Sequence, residues 1–472
     1  MSRSFDTIYG SRLIISAPHK SSGKTMVATG LIAALSQSGL VVAPFKKGLD
    51  FIDPMWLTAA AGGRQCHNLD FFVMTPDQIK RSLWRHSREA NFCLIEGNLG
   101  YFDGQDAEGI DSTAGLADLL KTPAILVIDC RGMARSIAPL LYGHRFFPEN
   151  PGGHYIDGVI LNRVASPRHE KRLLQSVRDY VEDVEVVGVL PNTEEMAIDE
   201  RHMGLVPTTE QQQIDDRIGA LGRFISDHVN LSAVRDIASR ARLLSIDAET
   251  VPTVVPSVTA RPLTIAYAAD AAFHFYYSEN LEAITARGVQ LQPINLLQDS
   301  QLPAMDGLYI GGGFPEMFME ALAANRILLE AMRRAIEAGL PVYAECGGLM
   351  LLAQRLHWQQ RSVALCGALP IDVEMCPRPQ GYGYMTLSGT NELSWPPPQT
   401  TIPCHEFHYS RLRGLPDQAR FAYRVERGTG IDGQHDGLIH RRVLASYAHI
   451  HHQGAPGWAD FLLRFWSGDE AL

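Results

Sequence analysis

The chain has 472 residues, enough for two or three domains. Hydrophobic residues make up 46% and charged residues 20%, a globular balance that excludes a disordered chain. Acidic residues outnumber basic ones by 52 to 42, and the net charge of −10 argues against a bulk nucleic-acid or anionic-membrane binder while leaving room for a local basic pocket.

The first apolar run, Arg12 to Ala17, is strand-sized. The loop PHKSSGKT (18–25) and a helical stretch from Met26 to Leu35 follow it. The loop matches G-x-x-x-x-G-K-[ST] except that Pro18 replaces the first glycine. In a strand–loop–helix setting such a loop turns its amides toward phosphate oxygens. Ser22 and Gly23 shape it, Lys24 supplies charge for the β- and γ-phosphates, and Thr25 supplies a hydroxyl for Mg²⁺.

Further apolar runs recur at LVVAPFK (40–46), FCLIEG (92–97), PAILVIDC (123–130), DGVILNRV (157–164) and VEVVGVLP (184–191), separated by helix-like stretches. Runs without period-2 alternation, spaced by helices, predict a parallel sheet covered on both faces. Asp50, Asp53, Glu96, Asp103 and Asp129 lie at or just after strand ends, where open α/β sheets bind ligands. Lys20, Lys46 and Lys47 are expected to form a basic surface near the loop.

Residues 245–262 hold three prolines and no useful periodicity, and are read as a linker between an ATP-binding domain (1–244) and a second domain (263–472). The α/β rhythm restarts at LTIAYA (263–268), GVQLQPI (288–294), DGLYIGG (306–312) and LPVYAEC (340–346). From about residue 360 short strands and loops are expected. In PVYAECGGLM, Cys346 follows a strand and precedes Gly-Gly, the pattern of a nucleophile elbow, where the helix N-terminus is expected to lower the thiol pKa. The amides of Gly311, Gly312 and Gly313, after the preceding strand, could stabilise an oxyanion. Candidate bases cluster at His405 and His408 and at His449, His451 and His452. No neighbouring acid set supports reading the last cluster as a metal site.

The seven cysteines are sparse and form no CxxC pair. No signal peptide and no spanning segment is visible, so a reducing, cytoplasmic location without membrane contact is expected.

These motifs together resemble the cobyrinic acid a,c-diamide synthase family. The likeness runs through FKKGLDFIDP, CHNLDFF, IEGNLGYFDG, GVILNRV, RHMGLVPT, FHFYYSENL, GGGFPE, AECGGLM, HEFHYSRL and ASYAHIH, covering nearly the whole chain. It implies a dethiobiotin-synthetase-like P-loop domain joined to a class I glutamine amidotransferase-like α/β domain. The family couples ATP to amidation of tetrapyrrole carboxylates, through an acyl phosphate attacked by ammonia from glutamine. By the resemblance Cys346 is the nucleophile and His449 its base. Gly312 and Gly313 stand by the oxyanion, Asp53 and Asp103 stand near the reacting centre, and Asn162 reads adenine. Thr25 and Glu96 hold Mg²⁺, with Asp50 a further candidate.

Two residues after His449, where many such amidotransferases carry an acid, this chain has His451, which leaves the third triad member open. The loop reads APHKSSGKT in place of GTxSGxGKT, and GLDFIDP, with Leu49 and Phe51, stands in place of GPDYIDP. Cys404 occupies an expected glycine. The acceptor implied first is cobyrinate or hydrogenobyrinate, with siroheme or sirohydrochlorin as the alternative. A homodimer is among the assemblies left open. From another class, a partition-type regulatory P-loop ATPase would need no glutaminase.

Overall fold

The computed structural model describes residues 5–8, 10–105, 107–147, 156–193, 200–201, 204–210, 214–247 and 261–470. The chain divides into two compact units, Met1–Val251 and Pro252–Leu472. Most of the stretch read as a linker, residues 248–260, lies outside the described residues. Its first residues do not: Leu244–Asp247 is a strand paired antiparallel with β1 (Phe5–Ile8), so the first unit continues past residue 244.

The first unit is built on β2 (Ser11–Ser16), β3 (Val42–Lys47), β4 (His67–Leu69), β5 (Phe92–Glu96), β6 (Ala124–Asp129), β7 (Ile156–Val164) and β8 (Glu185–Pro191). They form one sheet in the order β4-β3-β5-β2-β6-β7-β8, parallel throughout. The central strands are buried on both faces, which is why their sequences read as unbroken apolar runs. The order places β2 mid-sheet, so the loop after it opens among the carboxyl ends of β3, β5, β6 and β7.

Helix α1 (Lys24–Gln37) follows that loop and is buried along most of its length. It packs against the helix Ile214–His228, and the contact is close because residue 30 is glycine. A Cβ there would lie 2.4 Å from Ile225 Cγ1.

The second unit carries a nine-stranded sheet. Its parallel part runs Gln290–Ile294, Thr264–Ala268, Gly307–Ile310, Val342–Glu345 and Val443–Ser446. His435–His440, Arg420–Arg427, Gly381–Gly389 and Thr401–His408 then continue it antiparallel. The tail is therefore more ordered than its Gly- and Pro-rich sequence suggests, and it ends in a helix, Trp458–Ser467.

Alternation along these strands divides the core. Ile265, Tyr309, Tyr343 and Leu444 pack on one face, and Ala266, Leu308, Val342, Ala344 and Ala445 on the other. Among the described residues no helix is long and apolar enough to cross a membrane, and no cysteine forms a disulfide.

Gly30→Val is expected to force the two helices apart and to lower stability by about 1–3 kcal/mol, the usual cost of overpacking. A fall in the thermal or urea unfolding midpoint of the purified protein would measure it.

Candidate functional site

The loop after β2 is held by its neighbours rather than by itself. Gly23 caps α1 with φ 91°, and a Cβ there would sit 2.4 Å from Asn162 Nδ2. Only glycine meets both conditions. Asn162 Nδ2 donates to the Ser22 carbonyl at 2.9 Å, and Arg163 Nη1 donates to the Ser21 carbonyl at 2.8 Å. Asn162 Oδ1 accepts from the Arg163 amide at 2.9 Å. The side chain expected to read adenine thus also buttresses the loop, using one of its two Nδ2 hydrogens. Ser22 turns its hydroxyl inward to the His19 carbonyl, at 2.9 Å.

Lys24 is buried and donates to the Leu99 carbonyl at 2.7 Å. Burial and the neighbouring Lys46 bring its ammonium down to about 8. A phosphate in the loop would supply the missing counter-charge. Thr25 Oγ1 donates to Glu96 Oε1 at 2.6 Å. Glu96 is fully buried, and its Oε2 has no hydrogen-bond partner. A hydroxyl beside an unspent buried carboxylate oxygen is a donor set suited to a small divalent cation.

Lys46 does not belong to a basic surface. It is 2% exposed, and its Nζ lies 2.6 Å from Asp53 Oδ2, 3.1 Å from Glu96 Oε1 and 3.2 Å from the Gly97 carbonyl. Burial opposes its charge, but Asp53 and Glu96 outweigh that and hold the ammonium above its ordinary value. Burial pushes the Glu96 carboxyl up to about 7, with Lys46 opposing. Lys47 is also buried, which lowers its ammonium, so Lys20 alone of the three is exposed.

Asp50 Oδ1 accepts the amides of Ile52 and Asp53 at 2.8 and 3.1 Å, and so caps the helix Ile52–Ala60. Burial and the Asp53 charge raise its carboxyl to about 6. Asp103 is exposed on the loop after β5, where its Oδ2 accepts the Gly100 amide at 3.0 Å. Asp129, which resembles a Walker B acid in sequence, is instead clamped by Arg131 and Arg163, each at 2.7 Å. Burial alone would raise its carboxyl, but those arginines hold it at about 2.

In the second unit Cys346 has φ 47°, a left-handed conformation costly for a non-glycine residue. The glycines around it make the turn fit. A Cβ on Gly348 would lie 2.2 Å from the Ile310 carbonyl, and one on Gly347 would lie 3.1 Å from the Gly313 nitrogen. Gly313 therefore backs directly onto the elbow. Gly312 backs onto His449, whose Cε1 and Nε2 would lie 2.6 and 3.3 Å from a Cβ at that position. Gly311 is not available to an oxyanion, because its amide donates to the Tyr276 hydroxyl at 2.8 Å.

Burial, with the Glu316 charge adding to it, pushes Cys346 well up, against the expectation from a helix N-terminus. The following helix, Gly347–Leu352, is only six residues long. His449 Nδ1 lies 3.3 Å from Glu345 Oε2. Asp436 holds the approach to His449 by accepting the Tyr447 and Ala448 amides at 3.0 and 2.9 Å. His405 and His449 exchange backbone hydrogen bonds in both directions, and burial brings the His405 ring down to about 3. His451 turns away, with its Nε2 3.7 Å from Glu279.

Nothing local in the sequence marks Lys46 as an ion-pair centre, Arg163 as a brace for the loop, or Asp436 as a neighbour of the elbow. Glu345 stands next to Cys346 in the sequence, but nothing local marks its partner.

Comparison with known proteins agrees with this division. Residues 13–206 match the CobQ/CobB/MinD/ParA nucleotide binding domain, and residues 264–456 match the CobB/CobQ-like glutamine amidotransferase domain. A cobyrinate a,c-diamide synthase of Magnetococcus marinus is 52% identical over 457 residues, covering 96% of this chain and 97% of that one. Those of Methanosarcina barkeri and Listeria monocytogenes are each 36% identical, covering 93% of this chain and 92% and 96% of theirs. The chain belongs to the cobyrinate a,c-diamide synthase family.

Gly23→Ala is expected to displace Asn162 and distort the loop. ATP affinity measured by calorimetry should fall by about tenfold or more, the equivalent of about 1.4 kcal/mol or more.

Proposed function

We propose that this protein uses ATP and glutamine to convert the a and c side-chain carboxylates of cobyrinate to amides. The observation that carries the reading is near full-length similarity to synthases named for that product, in a chain that keeps both chemical centres. One centre is Lys24, Thr25 and Glu96 around the phosphate loop. The other is the strained Cys346 elbow, backed by Gly313, with His449 lying against the neighbouring Gly312. The siroheme alternative finds no support among the named relatives. The partition-type ATPase is set aside, because a glutamine amidotransferase domain fills the second unit.

A carboxylate is a poor electrophile. Transfer of the γ-phosphoryl group to an acceptor carboxylate oxygen releases ADP and leaves an acyl phosphate. Ammonia then attacks the acyl carbon, phosphate departs, and the amide remains. Phosphoryl transfer needs mainly charge neutralisation and alignment. Lys24 would move from the Leu99 carbonyl to the β- and γ-oxygens. Thr25 and Glu96 would hold Mg²⁺, which when bound neutralises phosphate charge. Lys46 keeps Glu96 and Asp53 in place beneath the loop, and Asp103 lies on the exposed side where an acceptor would arrive.

Ammonia comes from the second unit. Cys346 Sγ attacks the glutamine side-chain amide, ammonia leaves, and water hydrolyses the thioester to glutamate. Burial favours the protonated thiol, so a base is needed to take its proton as it attacks, and we assign that role to His449. The amide of Gly313 would face the developing oxyanion.

Two measurements test the reading. With cobyrinate, ATP and Mg²⁺, Cys346→Ala should abolish glutamine-dependent amide formation and spare formation driven by ammonium salt, whereas Lys24→Ala should abolish both. Mass spectrometry of the product distinguishes these results, and an unchanged glutamine-dependent rate in Cys346→Ala would refute the assignment.

The second measurement concerns pH. The Glu96 carboxyl in the folded protein lies above its ordinary value of about 4.3, at about 7. Burying it ionised therefore costs stability as pH rises through about 7, and a cation that binds only the ionised form must displace a proton below that point. Mg²⁺ affinity is expected to increase from about pH 6 to pH 8 with proton release at the acid end, read by calorimetry in buffers of different ionisation heat. In Glu96→Gln that dependence should vanish.

A further inference from the structure

We propose that Glu345 is the positioning residue of the glutaminase site and takes the place of the acid missing two residues beyond His449. The inference rests on reading Cys346 and His449 as the glutaminase pair. His451, two residues beyond His449, brings no negative charge to stabilise an imidazolium, and its ring is engaged elsewhere. Its Nε2 lies 3.7 Å from Glu279, and its ring packs on Tyr277. The carboxylate that does reach His449 comes from the other side of the elbow. Glu345 Oε2 stands 3.3 Å from His449 Nδ1, and both side chains are 2% exposed.

The placement follows from strand register. Val342–Glu345 and Val443–Ser446 are parallel neighbours, with Glu345 opposite Ser446, so the last residue of one strand lies beside the segment that leads to His449. Glu345 shares its face with Tyr343, whose hydroxyl donates to Glu345 Oε1 at 2.8 Å. That bond fixes one carboxylate oxygen and leaves the other for His449. Two residues adjacent in sequence thus serve one reaction from different directions. The left-handed turn at Cys346 sends the thiol away from the Tyr343 face, while Glu345 remains on it.

The chemistry needs such a group. A neutral imidazole takes a proton at Nε2 only if its own hydrogen is on Nδ1. A carboxylate accepting from Nδ1–H selects that tautomer, aims the ring, and stabilises the imidazolium that forms when the Cys346 Sγ–H proton is taken. The proton then leaves Nε2 with the departing ammonia. Glu345 gains and loses no proton in this sequence. The alternative is that Glu345 serves only to fill the buried end of its strand.

The experiment measures glutaminase activity and ammonium-driven amidation side by side in wild type, Glu345→Gln, Glu345→Asp and Cys346→Ala. In Glu345→Gln, glutaminase kcat should fall by roughly 10²-fold or more with the glutamine KM within about threefold, since the group acts on chemistry rather than binding. Glu345→Asp should regain at least about tenfold of that loss, and ammonium-driven amidation should match wild type in both. The inference is overturned if Glu345→Gln keeps kcat within about threefold while Cys346→Ala is inactive. It is also overturned if the glutamine and ammonium activities of both variants fall together, because that marks a structural role alone. Retained glutaminase in Cys346→Ala would bring down the underlying pair as well.

Discussion

The buried ammonium of Lys46 is the constraint on which the first unit's site depends. It stands between two carboxylates contributed by different elements, Glu96 at the end of β5 and Asp53 in the first turn of the helix Ile52–Ala60. Without it, the buried Glu96 and the part-buried Asp53 would face each other uncompensated, which favours protonation of one of them. Removing one partner from such a cluster typically costs about 3–5 kcal/mol, because the others are left buried and uncompensated. The cluster also keeps Glu96 Oε1 engaged with Thr25 and Lys46, which leaves Oε2 as the unspent oxygen. The same contacts thereby leave one buried carboxylate oxygen of Glu96 unspent near Thr25.

The second unit handles a buried reactive group by backbone shape rather than by charge. Cys346 adopts a positive-φ conformation amid glycines and fixed strands; a Cβ on Gly313 or Gly348 would collide with backbone, and one on Gly347 would be crowded at 3.1 Å. Strain at one residue is offset by the absence of side chains at its neighbours. Asp436 performs the matching task on the opposite strand, where its carboxylate takes up amides that would otherwise be orphaned just before His449.

How much of this was legible in sequence depended on distance along the chain. The phosphate loop, the elbow and the parallel strands are local patterns, and each was readable because burial on both faces or a tight turn restricts residue choice within a short stretch. Lys46 was misread because a lysine beside another lysine looks solvated, and its partners Asp53 and Glu96 become visible only when β3 and β5 pair. Asn162 was assigned to adenine by resemblance, yet its partner Ser22 lies 140 residues away. The linker boundary slipped because a four-residue strand at 244–247 has meaning only beside residues 5–8. Glu345 and His449, 104 residues apart, belong to the same group of long-range pairs.

Burial of the cysteines has a chemical consequence beyond the reaction itself. Oxidants and alkylating agents attack thiolates far faster than thiols. Burial pushes Cys93 up to about 11 and Cys130 and Cys366 up to about 12, and it raises Cys346 and Cys404 as well. At neutral pH those five sulfurs are almost wholly protonated. A nucleophile that becomes a thiolate only when a neighbouring base takes its proton during turnover is spared peroxide damage between turnovers. If Cys346 is that nucleophile, the burial that disfavours its thiolate would also shield it from oxidation.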